Sequence, residues 1–178
     1  MRRRVVFYSS LAALLLVVAF SIFLATRHTV SDATSSPSPL LGKPAPPVKG
    51  VSLTGTKVNL SSDRGHVVVL NFWASWCPPC KQEAPELSTF AWQQRNGGAK
   101  VLGVVFNDSV SSAKSFNTYY GSLYPSIAVD TNGSIANSYG VTSPPTTFII
   151  NRHGRVVAEL LGATTDRQIT AIVNKVTS

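Results

Sequence analysis

The chain has 178 residues, 44% of them hydrophobic and 13% charged, with a formal charge of +8. That length suits one domain built on one core and argues against two. From residue 41 onward the basic and acidic residues are scattered, with no run and no aromatic interleaving, which excludes a nucleic-acid grip and leaves a solvated, mildly basic surface.

Arg2, Arg3 and Arg4 precede an uncharged run from Val5 to Thr26, long enough as a helix to span a bilayer. A cleavable signal competes with a retained anchor here. The run exceeds the usual apolar core of a signal, and the nearest small-x-small site, Ser31-Asp32-Ala33, lies beyond its end, so a retained anchor is expected. The arginines then place the N-terminus in the cytoplasm and the rest outside. Residues 1–26 read as a cytoplasmic stub and transmembrane helix. Residues 27–47, with five of the eleven prolines, read as a stiff, partly extended Ser/Thr/Pro-rich tether, which leaves 48–178 as the domain.

In the domain, "VKGVSLTGTKVNLSS" alternates around Thr54-Gly55 and predicts a β-hairpin. "HVVVLNFW" (66–73) predicts a central strand buried on both faces, and a helix follows from Pro78 to Gln94. Pro85 should bend it. "KVLGVVF" (100–106) is a second buried strand, "SVSSAKSFNTYYG" a helix ending at Gly121, "SIAVD" a strand and "SIANSYG" a short helix ending at Gly140. "TTFII" turns through "NRHGR" into "VVAELLG", and the closing helix takes Thr165 as its N-cap. Alternating strands and helices predict an α/β sheet covered on both faces.

Both cysteines lie in "NFWASWCPPCKQEAP", where the central strand gives way to a helix, the place where α/β sheets put their chemistry. As a clasp, Cys77–Cys80 would close a very short ring and restrain the unfolded chain little. As metal ligands they lack company, since His28, His66 and His153 are far apart in sequence. Residues i and i+3 in a first helical turn do sit at disulfide distance, and the helix N-terminus favours a thiolate. The reading is therefore a redox-active pair, with Cys77 at the exposed junction as nucleophile and Cys80, a turn deeper, as the resolving thiol. It calls for no bound cofactor.

"LNFWASWCPPCKQEAPEL", with "VLGVVFND", "YGVTSPPTTFIINRHG" and the late Gly162, resembles membrane-anchored thioredoxin-like proteins of the TlpA/ResA type over about residues 40 to 178. The resemblance implies a thioredoxin-like fold with an N-terminal β-hairpin and a central βα insertion, and thiol-disulfide exchange outside the cytoplasm. It implies clients that are exported proteins with disulfides or dithiols, oxidised apocytochrome c during haem attachment among them, and a CcdA-type membrane protein as electron donor. It also makes Glu83 an active-site acid, able to take the proton that Cys80 loses if burial raises its pKa. The alternative is an exposed glutamate that only complements the helix dipole.

Trp76, Pro144 and Pro145 are the substrate contacts that the resemblance implies. Pro145 matches the family's cis-proline, although an X-Pro bond is ordinarily trans. Two departures stand beside it: Ser143 where the family often has glycine, and Pro144, which has no N–H, so that only its carbonyl is left to pair with an incoming peptide.

Three rivals stay open: a disulfide-donating oxidase, a peroxiredoxin-like peroxidase and a non-catalytic metal- or haem-handling adaptor. The peroxidase pattern wants Thr or Ser three residues before the reactive cysteine, where this chain has Ala74. Against the oxidase, Pro78 and Pro79 offer no N–H to a Cys77 thiolate, and an ionised Glu83 would oppose it, so a reductant is expected.

Overall fold

The computed structural model describes residues 15–21, 34–35, 38–121 and 123–177. The chain divides into two compact units, Met1–Ser31 and Asp32–Ser178. In the first, residues 15–21 are helical (α1), with Leu15, Leu16, Val17, Val18 and Phe20 exposed. Among the described residues no helix is long and apolar enough to cross a membrane; most of the expected span lies outside them.

The second unit holds one eight-stranded sheet. Its strands are β1 (Thr34–Ser35), β2 (Lys49–Val51), β3 (Lys57–Asn59), β4 (Val67–Trp73), β5 (Ala99–Phe106), β6 (Ser126–Asp130), β7 (Thr146–Ile150) and β8 (Val156–Leu161). Their order is β1-β8-β7-β4-β5-β6-β2-β3. β4, β5 and β6 run parallel; on the other side of β4, β7 pairs antiparallel with it and β8 antiparallel with β7. The helices are α2 (Pro78–Gln93), α3 (Val110–Tyr119), α4 (Ser134–Tyr139) and α5 (Asp166–Thr177).

Alternation along β4 divides the core. Val67, Val69 and Trp73 join one apolar cluster with Leu87 and Phe90 of α2, Phe116 of α3, and Ile169 and Val173 of α5. Val68, Leu70 and Phe72 join another with Ile135 and Tyr139 of α4 and with Phe148. A strand buried on both faces has no need of polar alternation, which is why "HVVVLNFW" is so nearly all apolar. Asn71, fully buried in that strand, is the exception.

The expected hairpin forms as β2–β3, its turn held by the Ser52 hydroxyl, which accepts the Thr54 and Thr56 N–H groups at 3.2 and 3.1 Å. It extends the sheet through a Val51–Val129 pairing with β6. α2 continues past Pro85 to Gln93. α5 starts on a capping box: Thr165 Oγ1 accepts the Gln168 N–H at 3.3 Å and Gln168 Oε1 accepts the Thr165 N–H at 3.0 Å.

Within the expected tether, the last ten residues lie on the domain. The Gly42 and Ala45 N–H groups donate to the carbonyls of Val156 and Gly154, both at 2.8 Å, and Arg155 Nη1 donates to the Gly42 carbonyl at 2.7 Å. Leu40 and Ala45 pack against the α4-side core. Prolines and serines give this segment no periodicity; it turns at residues 39–42 and then lies beside β8 and the β7–β8 turn, and nothing in its own sequence pattern announces the docking.

The insertion α3–β6 is tied in by aromatic stacking. Trp73 lies between Phe116, at 4.8 Å between centroids, and Tyr124, at 5.1 Å and 14° between planes. Room for this comes from β5: a methyl group at Gly103 would stand 2.8 Å from both Trp73 Nε1 and Tyr124 Cγ.

Candidate active site

β4 ends at Trp73, and the chain passes through Ala74, Ser75 and Trp76 to Cys77, the N-cap of α2. Cys77 and Cys80 form a disulfide with S–S 2.04 Å and Cα–Cα 5.3 Å. Cys77 Sγ accepts the Cys80 N–H at 3.1 Å, a sulfur serving as the helix cap. The first two helical positions are Pro78 and Pro79, which have no N–H, so of the first-turn donors only Cys80 serves that sulfur.

Exposure does not separate the two sulfurs. Each cysteine is 2% exposed, which corrects the expectation of an open Cys77 above a deeper Cys80. In the closed disulfide both side chains join the apolar cluster of α2 and α5. What distinguishes them is position on the helix: Cys77 is at the cap, where the dipole and a backbone donor meet its sulfur, and Cys80 is inside the first turn.

Glu83, one turn further on, is 1% exposed. Burial pushes its carboxyl up from 4.5 to about 7, against hydrogen bonds from Thr164 and Asn71 that hold it down. Oε1 accepts Asn71 Nδ2–H at 2.9 Å; Oε2 accepts the Thr164 N–H at 3.1 Å and its hydroxyl at 3.3 Å. The exposed-glutamate alternative therefore fails. A buried carboxyl poised near neutral pH beside a thiol pair can hold or release a proton as that pair opens and closes.

Trp76 is half exposed and anchored by Nε1–H donation to the Asn107 carbonyl at 2.9 Å. Next to it, the Ser75 N–H donates to Asp108 Oδ2 at 2.6 Å. Both anchors come from the loop after β5, so the C-terminal ends of two parallel strands hold the approach to Cys77.

The Pro144–Pro145 bond is cis, as the resemblance implies. The register Phe72–Thr146 sets Pro145 just beyond Thr146, level with the end of β4 that leads to the cysteines. Pro145 is buried and Pro144 half-buried. The neighbouring carbonyls are engaged: Ser143 accepts from the Thr146 hydroxyl at 2.9 Å and Pro145 from the Gly162 N–H at 3.0 Å.

Asn71, Tyr124, Thr147, Thr164 and Asp108 were not among the residues expected at the site. Asn71 carried the one readable signal, a carboxamide inside a buried apolar strand, because a polar group there needs partners. The others come from distant parts of the chain. Among the described residues no group of His, Cys, Asp and Glu stands together as a metal ligand set.

Comparison with known proteins agrees with this geometry. Residues 41–159 match the model of the AhpC/TSA family. The thiol-disulfide oxidoreductase ResA of Bacillus thuringiensis is 32% identical over 137 residues, covering 77% of this chain and 79% of that protein. A thiol:disulfide interchange protein DsbE homolog of Paracoccus denitrificans is 37% identical, over 71% of this chain and 69% of its own. The crystal structure of a secreted thiol-disulfide isomerase from Corynebacterium glutamicum superposes with a TM-score of 0.67 at 32% identity, covering 74% of this chain and 84% of that one. A vicinal thiol pair on a helix cap, a cis-proline loop beside it and relatives of this kind agree on one assignment: the chain belongs to the AhpC/TSA family, as a thioredoxin-like thiol-disulfide oxidoreductase of the ResA type.

Proposed function

We propose that the protein reduces disulfides in exported proteins outside the cytoplasm, held to the membrane by the apolar run from Val5 to Thr26. The observation that carries the direction is the single backbone donor on Cys77 Sγ. An exchanger becomes a strong oxidant when its reduced form is stabilised by donors to the nucleophilic thiolate, and Pro78 and Pro79 remove two of those donors. A poorly stabilised thiolate makes the disulfide hard to reduce and the dithiol a good reductant.

In turnover the Cys77 thiolate attacks a client disulfide, Glu83 takes the Cys80 proton, and Cys80 closes on Cys77 to release the reduced client. Trp76, Pro144 and Pro145 line the approach. Apocytochrome c during haem attachment is the client the family resemblance supplies, and a CcdA-type membrane protein returns the electrons. Equilibration in graded thiol and disulfide buffers tests the direction. A potential near thioredoxin's roughly −270 mV is expected, and one near DsbA's roughly −120 mV would make the protein a disulfide donor. Protease added to spheroplasts should digest residues 27–178; a protected domain would sink the placement.

A further inference from the structure

Asn71 makes three hydrogen bonds, all inside the protein. Its amide donates to Glu83 Oε1 and to Thr147 Oγ1, both at 2.9 Å, and its Oδ1 accepts the Tyr124 hydroxyl at 2.6 Å. A carboxamide turned by half a rotation would fit the same space, with its oxygen facing the Glu83 carboxylate. Thr147 cannot prevent that turn, because its hydroxyl can donate or accept equally well.

Tyr124 can. The residue is 4% exposed, and among the described residues its hydroxyl has Asn71 Oδ1 as its one hydrogen-bond partner. With the amide reversed, the phenol proton would be buried without an acceptor. The ring has no freedom to follow, being stacked on Trp73 at 5.1 Å. Its backbone is tied to α3 as well, through donation of the Tyr124 N–H to Asn117 Oδ1 at 3.2 Å.

We propose that Tyr124 is a positioning residue for the redox site: its hydroxyl fixes the Asn71 amide with an N–H on the Glu83 carboxylate, so the α3–β6 insertion sets the acid that serves Cys80. This rests on the role proposed above for Glu83. In the resolving step the Cys80 thiol gives its proton to the carboxylate, and the resulting thiolate attacks Cys77 Sγ. The Cys77–client S–S bond breaks, and the client leaves as a thiolate that is protonated in turn. The client disulfide gains two electrons and the dithiol loses two.

The surroundings leave Glu83 few other charges to answer to. β4 and β7 carry no charged residue, and on β5 Lys100 is exposed near the far end. On α2, Lys81 is exposed and Glu86 Oε2 accepts the Asp166 backbone N–H at 3.0 Å; on α5, Arg167 and Lys175 are exposed. Burial, and after it the nearby Glu83 charge, hold the Tyr124 hydroxyl well above its usual range, so it stays a donor.

Tyr124→Phe keeps the ring and its stacking and removes only the hydroxyl. The full chain, in detergent and selectively labelled with 13C-glutamate, has three carboxyls to follow, Glu83, Glu86 and Glu159. In Tyr124→Phe the Glu83 midpoint should rise while the other two stay in place. Resolution of a Cys77–thionitrobenzoate adduct, read by its absorbance, should slow at pH 7 by roughly three- to sixfold and recover at higher pH, as a shift of up to about one pH unit gives. In a Glu83→Gln background the same change should have no further effect. An unmoved Glu83 midpoint in Tyr124→Phe overturns the proposal. A moved midpoint with an unchanged resolution rate in both Glu83→Gln and Tyr124→Phe instead overturns the role of Glu83 while leaving its positioning by Tyr124.

Discussion

Thr164 and Glu83, far apart in the chain, meet at one carboxylate oxygen through two hydrogen bonds, at 3.1 Å from the backbone N–H and 3.3 Å from the hydroxyl. The helix that carries the disulfide is thereby fastened to the segment between β8 and α5. Hydrogen bonds alone would favour an ionised Glu83, and burial outweighs them.

Stability should register that balance. A carboxyl raised from 4.5 to about 7 binds more protons folded than unfolded, so stability falls as pH rises across that window and levels off above it. The change corresponds to about 3 kcal/mol at pH 8 relative to pH 4. Urea unfolding of the oxidised protein across this range should show the decline, and Glu83→Gln should flatten it; an equally steep decline in Glu83→Gln would refute the buried-acid account.

The two cysteines should fail differently. Cys80→Ser keeps the capping nucleophile and should accumulate client proteins as mixed disulfides resolvable by thiol, whereas Cys77→Ser should trap none. Gel mobility with and without reductant reads both. Trapping by Cys77→Ser alone would reverse the assignment.

Restoring a donor to the first turn should shift the potential. Pro79→Ala supplies an N–H at the second helical position, where a cap side chain commonly accepts. One added hydrogen bond to a thiolate is worth about 1.5 kcal/mol, or about 30 mV toward a stronger oxidant. A potential that stays within a few millivolts of the parent, on the order of experimental error against the ~30 mV expected, would show that the prolines do not set it.

Away from the site, Asp130 caps the short helix α4, its two oxygens accepting the Ile135 and Ala136 N–H groups at 3.1 and 2.8 Å. Gly133, at the helix start, offers no side-chain cap of its own. Asp130→Ala should cost about 2 kcal/mol in denaturant unfolding and leave thiol exchange unchanged. A change in exchange rate without loss of stability would show coupling between α4 and the cysteines.

The β-branched runs that became β4, β5 and β7 were legible because strands buried on both faces need continuous apolar sequence, and the Thr165 cap because its signal is local. The redox pair was legible for the same reason, with both cysteines inside one turn. The environment of Glu83 was not. Its partners sit on β4 and after β8, and only the folded sheet brings Asn71 and Thr164 to one carboxyl and the insertion's Tyr124 to Asn71 behind it. The burial of Cys77 escaped too, since exposure at a helix cap depends on what the rest of the fold lays over it.

Gly103 reserves the space in which Tyr124 of the insertion lies on Trp73. A ring can lie flat on a sheet if strands part or if one strand omits a side chain, and this chain does the second. A single methyl there would stand 2.8 Å from atoms of two buried rings, so Trp73 or Tyr124 would have to shift with no residue of the hydrogen-bonded chain altered. With Tyr124 positioning Asn71 as proposed, the exchange reaction becomes sensitive to a strand position that offers no functional group at all, and whose contribution is vacancy.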